Sequence, residues 1–567
     1  MSQLSLRRTI QMGLIAGVIA LSVSAIGMVV TFDERDIITG VLSLGQLLLF
    51  GIPVVVGYLI VRGNGEIKAG QALLHGLIAG FFIALPLIGL ILLTLLWPNI
   101  RAALPNVSPT LIGILTFGQG PVLGSIILVL VMMVLGAVGA AFHLLPERIQ
   151  KPLFSGIAWT LGIGLFSEVL INIFRPVPRQ IVRIIFGPTG ITPLLAVIIF
   201  VIATVFSAWW EARGRDRFRD RRTAMTKEQE TRLGRVGRIA LVVLILALPW
   251  ILGIYLTEVL DIVGIFILMG LGLNIVVGFA GLLDLGYVAF FAIGAYVMGL
   301  LTSTGDLGVV GLPFWIALPF SVLAATIAGL ILGVPVLRMR GDYLAIVTLG
   351  FGEIIRVLAA SDLLKPVIGG AQGIIKIGRP TVPILDFIFV QPQHFYYLIL
   401  FGCLLAIWVS SRLRDRRPGR RWMALREDED VAEAVGIHLV NTKLLAFAVG
   451  AAFGGLAGGI FASRLASIFP HSFNLLISIN VLSLIIVGGI GSLPGVVVGA
   501  LFLVGLPELL REFAEYRLLL YGALIILMML LRPEGLWPSP IRKRELHAEP
   551  DIAEHEGIQH EQVADLV

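Results

Sequence analysis

The chain has 567 residues, of which 57% are hydrophobic and 14% charged, and a mean hydropathy of +0.97. Soluble domains carry about 25% charged residues, so a water-soluble globule is excluded and lipid is the solvent that accommodates the chain. The single cysteine, Cys403, excludes an intrachain disulfide and a cysteine-cluster metal site. The net charge of +6 does not by itself point to nucleic acid or an acidic substrate.

Arg7 and Arg8 precede an apolar run from Ile10 to Val30, and Ser22-Val23-Ser24-Ala25 has the outline of a signal-peptide cleavage site. The run is close to the ~20 residues that cross a bilayer and more spans follow, so a retained first helix is the plainer reading. The expected fold is all-α, a polytopic helical membrane protein with about sixteen spans. A first group lies at about 10–31, 41–61, 72–97, 121–145, 153–173 and 188–210. A second lies at about 239–257, 262–280, 285–303, 314–336, 343–360, 394–411, 442–465, 474–491, 495–510 and 516–532. The chain therefore divides into a six-span module at 1–210, a basic linker at 211–238, a second module at 239–540 and a polar tail at 541–567.

Charge sets the orientation. Glu211 to Arg238 holds ten Lys/Arg against five Asp/Glu, and Arg412 to Arg421 holds six arginines and one acid, Asp415. Arg338 and Arg340, and then Arg542-Lys543-Arg544, mark further basic loops. The positive-inside rule places all four in the cytoplasm, with the linker and C-terminus, and puts the acidic Asp33-Glu34 and Glu258–Asp261 loops outside. Arg175, Arg179 and Arg183 fall on the wrong side of this count.

Two nearly uncharged blocks stand out in the second module. Ile262 to Gly305 contains only Asp284, and Leu465 to Pro507 contains no charge. Each has a glycine-rich break at its middle, Gly278 to Gly286 and Gly488 to Gly495. Breaks at matching places in two halves point to a transport pathway, or else to two tight turns between antiparallel helices.

No enzyme constellation appears. The chain lacks a Gly-Lys dipeptide, hence a Walker A loop, and cannot hydrolyse ATP by that mechanism. It has no His-Glu-x-x-His; His555-Glu556 and His560 in the tail have the wrong spacing, and His471 stands alone. No cofactor, metal or catalytic residue is expected. One internal hydrophilic element remains, Arg420 to Ile437 between two spans. Val431, Ala432, Val435 and Ile437 give it a short apolar stripe among acids, and Gly436 ends or bends it. It reads either as a partner-docking helix or as an ordinary solvated loop helix.

Six segments, in order, resemble the M-type permease subunit of branched-chain amino acid ATP-binding-cassette (ABC) importers. They are Leu273 to Tyr287 running on to Tyr296, Leu337 to Glu353, Gly369 to Ile374, the Arg426 to Gly436 loop with Lys443, the Gly488 to Gly495 turn, and Arg532 to Pro538. The resemblance covers about 239–540 and implies a non-catalytic permease in the cell (plasma, or inner) membrane. Its implied partners are an H-type permease subunit, two ABC ATPase subunits and an extracytoplasmic substrate-binding protein, with no nucleic acid. The ATPase-coupling loop corresponds to Arg426, Glu427, Asp428, Val431, Glu433, Ala434, Val435 and Gly436. The module at 1–210 carries none of these motifs and has no assigned role.

Polar groups within otherwise apolar spans are the candidate substrate pathway: Asn274, Tyr287, Tyr296, Thr348, Glu353 and Asn480. The default cargo is a branched-chain or related amino acid, with urea and short amides as alternatives. A rival class, an ion-coupled secondary transporter, would rely on Asp284, Glu353 and Arg356. A membrane-embedded enzyme of lipid metabolism is the third reading.

Overall fold

Helices make up nearly all of the regular structure. The computed structural model describes residues 6–62, 68–97, 99–167, 170–171, 185–187, 190–214, 227–336, 339, 341–382 and 387–509, with scattered positions between 516 and 538. Among these residues eleven helices are long and apolar enough to cross a membrane, and two shorter apolar helices, Val288–Thr302 and Leu493–Gly505, accompany them. The strands form only two-stranded pairs. The polytopic all-α expectation therefore holds. The sixteenth predicted span, 516–532, lies largely outside the described residues, as do Arg175, Arg179, Arg183, Arg338, Arg340, residues 215–226 of the linker and the tail after 538.

The chain divides into two compact units, Met1–Val242 and Val243–Val567. In the first, α1 (Leu6–Ala25), α2 (Leu44–Arg62), α3 (Ala69–Leu96) and α4 (Pro121–Leu144) pack together, and α5 (Glu147–Leu165) packs on α6 (Pro193–Trp209). Glycines on α2, α3 and α4 set the spacing. A Cβ at Gly76 would lie 2.5 Å from the carbonyl oxygen of Gly136, and one at Gly57 or Gly136 would meet backbone even more closely. Lipid tails are as apolar as leucine, so helices in a bilayer gain from close backbone approach rather than from further apolar bulk. The predicted span at 153–173 is α5, which begins at Glu147 and carries Arg148 and Lys151 in its first turns; it is not among the eleven.

In the second unit, α7 (Lys227–Leu273) contains Gly253 with φ 76, a sharp break in an otherwise helical run. The sequence places a loop at Glu258–Asp261, but these residues are helical. Their charges are met within the protein: Arg464 Nε donates to Asp261 at 3.2 Å and its Nη2 to Glu258 at 3.4 Å. Acids that read as a loop in a hydropathy count are thus an interhelical ion-pair cluster. The centre of this unit is α14 (Leu439–Leu465), against which α8 (Val288–Thr302) and α9 (Phe314–Val336) pack. Around them stand α10 (Asp342–Ala360), α11 (Pro392–Asp415), α12 (Arg417–Glu427), α13 (Glu429–Ala434), α15 (Leu475–Gly488) and α16 (Leu493–Ala500).

Gly136→Val tests the glycine contacts. The added methyls have nowhere to go between α3 and α4, and overpacking costs about 1–3 kcal/mol. Thermal unfolding of the detergent-purified protein is expected to shift down by several degrees, whereas Gly162→Val, at a position with open space, is expected to leave it unchanged.

Candidate functional site: the junction of two broken helices

The first break begins where α7 ends. Asn274–Phe279 forms a wide, π-type turn, a distortion frequent at functional sites. The Ala280 and Leu282 N–H groups donate back to Ile275 and Val276 (3.1 and 2.9 Å), which leaves the Gly278 carbonyl without a helical partner. Gly281 then turns with φ +73. The chain enters α8 through hydrogen bonds from side chains: Leu285 N donates to Thr348 Oγ1 (3.0 Å), Gly286 N to Asp284 Oδ1 (2.9 Å) and Val288 N to Ser478 Oγ (2.9 Å). Gly286 lies directly against the Thr348 carbonyl, where no side chain fits.

The second break, between α15 and α16, carries Gly489 at φ +118 and Gly491 at φ +79. Two of its carbonyls are taken up from far along the chain: Leu536 N donates to Val487 O (2.8 Å) and Trp537 N to Gly488 O (2.9 Å). The two breaks meet. Asn274 Oδ1 accepts from Gly491 N at 2.9 Å, and a Cβ at Gly278 would sit 2.8 Å from that nitrogen.

The loop between α11 and α14 reaches the same junction. Trp422 of α12 is fully buried and its Nε1 donates to the Thr442 carbonyl (2.9 Å). Arg426, in the last turn of α12, donates through Nη1 to the Gly278 carbonyl at 3.0 Å. Its stem lies on Gly281, where a Cβ would come within 2.8 Å of the arginine Cγ. Asp428 caps α13 by accepting from the N–H groups of Asp430 and Val431 (2.8 and 3.0 Å). Gly436, at φ +87, closes α13: its N–H donates to Glu433 O (2.9 Å) and that of Ile437 to Ala432 O (3.0 Å). This is a Schellman motif, which needs a left-handed residue at that position. Lys443, only 2% exposed, pins α13 to α14 through Glu429 at 2.8 Å. Ala432 faces inward, while Val431 and Val435 are 59% and 70% exposed. Glu427, Asp428, Glu433 and Ala434 are exposed beside them.

The candidate pathway residues divide by placement. Asn274, Tyr287 and Thr348 are fully buried and fasten helices together. Tyr287 donates to the Gly450 carbonyl at 2.7 Å, and Thr348 Oγ1 also donates to Ala345 O. Tyr296, nearly buried, packs on Phe473 with ring centroids 5.6 Å apart. Phe473 in turn lines a narrow crevice with Val288, Leu349, Gly352, Glu353 and Leu475. Glu353 is half-exposed there and ion-paired with Arg356. Asn480 is half-buried on α15, the helix that carries Leu475. Glu353 thus lines the crevice directly, and Tyr296 adjoins it only through Phe473. Ser478, Trp422 and the Asp261–Arg464 cluster were not anticipated; Arg464, a charge at the end of a long apolar run, was the one readable signal among them.

These features define a membrane permease: paired discontinuous helices, whose irregular backbone is tied to a helical loop. Residues 255–529 match the family described as "Branched-chain amino acid transport system / permease component". The high-affinity branched-chain amino acid transport system permease protein LivM of Escherichia coli is 42% identical over 321 residues, 53% of this chain and 74% of that one. The probable LivM of Methanocaldococcus jannaschii is 25% identical over 48% of this chain and 85% of its own length. The LivH permease of Escherichia coli is 30% identical over 26% of this chain and 48% of its own length. No solved structure is significantly similar to the chain. The chain belongs to the LivM-type branched-chain amino acid ABC permease family.

Removal of the buried lysine tests how α13 is held. Lys443→Met removes the ion pair with Glu429, and breaking a buried pair costs about 3 kcal/mol. Thermal unfolding is expected to fall accordingly, and Lys443→Met with Glu429→Gln is expected to recover most of the loss.

Proposed function

We propose that residues 243–538 form the translocating half of an importer for branched-chain or related amino acids. An H-type permease supplies the other half, two ATPase subunits hydrolyse ATP in trans, and an extracytoplasmic binding protein delivers the cargo. The basic loops and the loop carrying α12 and α13 face the cytoplasm of the plasma membrane. The reading rests on one observation above the others: Val431 and Val435 stand exposed on a helix that is capped at both ends and pinned by a buried ion pair. A solvated connector has no need of such rigidity. A short helix with an apolar ridge and an acidic rim suits a groove in a partner, the helix-in-groove mode. The crevice at Tyr296, Phe473 and Glu353, with Asn480 nearby, is the stretch of surface best suited to face the cargo. Residues 1–242 lie outside the matched region and act as an accessory unit.

Val431→Asp with Val435→Asp places two carboxylates where the groove is apolar, at a cost on the order of 3 kcal/mol. In proteoliposomes with all partners, cargo-stimulated ATP hydrolysis and uptake are both expected to collapse while insertion stays normal. Near-normal uptake would show that this helix is a connector. A chain beginning at Lys227 is expected to assemble with the partners and to hydrolyse ATP in response to loaded binding protein. Loss of assembly despite good expression would make the first unit part of the permease core.

A further inference from the structure

The exposed valines of α13 and the irregular backbone of the two breaks are separate places, and one side chain spans them. Arg426 sits three residues before α13 begins, across Asp428, whose carboxylate caps α13. Asp428 joins α12 directly to α13 and caps it, while the Trp422–Thr442 hydrogen bond and the Glu429–Lys443 pair tie α12 and α13 in turn to α14. A push on Val431 and Val435 therefore moves Arg426 with the helix. At its other end Arg426 reaches the irregular turn that follows α7. It meets the Gly278 carbonyl and lies on Gly281, in the one part of α7–α8 where helical hydrogen bonding lapses. The same turn is bonded through Asn274 to Gly491 of the second break, where a Cβ would lie in ordinary contact with the Gly278 carbonyl (3.4 Å) and Arg426 Nη1 (3.7 Å). A donor fork on a freed carbonyl, between two glycine turns, is an arrangement that can hold one backbone conformation and release another.

We propose that Arg426 is the positioning residue that transmits displacement of α13 to the paired breaks, fixing the Gly278 turn in one state of the transport cycle and freeing it in the other. This rests on the reading of α13 as the ATPase contact. Arg426 points inward from that contact, so its loss leaves the docking face intact.

The test uses the full-length chain reconstituted with the H-type permease, both ATPases and binding protein, with radiolabelled leucine as probe cargo. Three quantities are read: assembled complex, cargo-stimulated hydrolysis, and leucine moved per ATP. For Arg426→Ala in the assembled complex, leucine moved per ATP is expected to fall about tenfold, the scale of a lost coupling interaction. Arg426→Lys, which keeps a stem and a single donor, is expected to recover part of the ratio. An unchanged ratio, or hydrolysis and uptake falling together at a constant ratio, overturns the proposal, since a merely structural arginine behaves that way. Where Arg426→Ala does not assemble, Arg426→Lys decides by the same ratio, and failure of both to assemble also overturns it. Failure of the docking reading looks different: the Val431→Asp, Val435→Asp protein would then hydrolyse and transport normally.

Discussion

In a bilayer every backbone N–H and C=O must find its partner inside the protein. An unbroken helix meets this requirement by itself. The two breaks at Gly278–Gly286 and Gly488–Gly495 do not, and much of the second unit is arranged around their unpaired groups. Thr348, Asp284 and Ser478 take the N–H groups that lead into α8. Arg426 takes the Gly278 carbonyl, Asn274 takes the Gly491 N–H, and the chain at Leu536–Trp537 takes the carbonyls of Val487 and Gly488. Leaving one such group buried and unpaired costs on the order of 1–3 kcal/mol. Most of these partners come from distant sequence, so the breaks are also where the unit is closed upon itself.

Glycine serves two opposed purposes here. In the first unit it lets straight helices touch backbone to backbone, as at Gly57, Gly76 and Gly136. In the second it also permits turns that other residues resist, as at Gly281 and Gly491. The first use brings helices into backbone contact, and the second bends the chain where helical hydrogen bonding lapses. The sequence content of the two is similar; what separates them is whether a polar partner waits beside the glycine.

Much of this was legible in the residues. Apolar runs of bilayer length gave the helices, and uncharged blocks with central glycines gave both breaks. The Gly436 turn followed from helix chemistry alone. What failed was the treatment of charge. Glu258 and Asp261 marked a loop in the hydropathy pattern because their counter-ion, Arg464, stands some two hundred positions away and its pairing has no local signature. The polar residues within spans were read as one set, yet Asn274, Tyr287 and Thr348 close gaps in the helix bundle while Glu353 and Asn480 reach its surface. Burial separates them, and burial depends on which helices become neighbours. The joining of the two breaks through Asn274 was hidden for the same reason.

The pairing of Leu536 and Trp537 with Val487 and Gly488 has a consequence for biogenesis. The second break leaves the ribosome about fifty residues before the strand of backbone that completes it, and domains generally fold as they are made, N-terminal part first. Until Leu536 and Trp537 arrive, the carbonyls of Val487 and Gly488 lack the N–H partners that they have in the folded chain. The second break is therefore closed only once the chain has been made as far as Trp537, so the last bonds of this turn are also among the last that the growing chain can form.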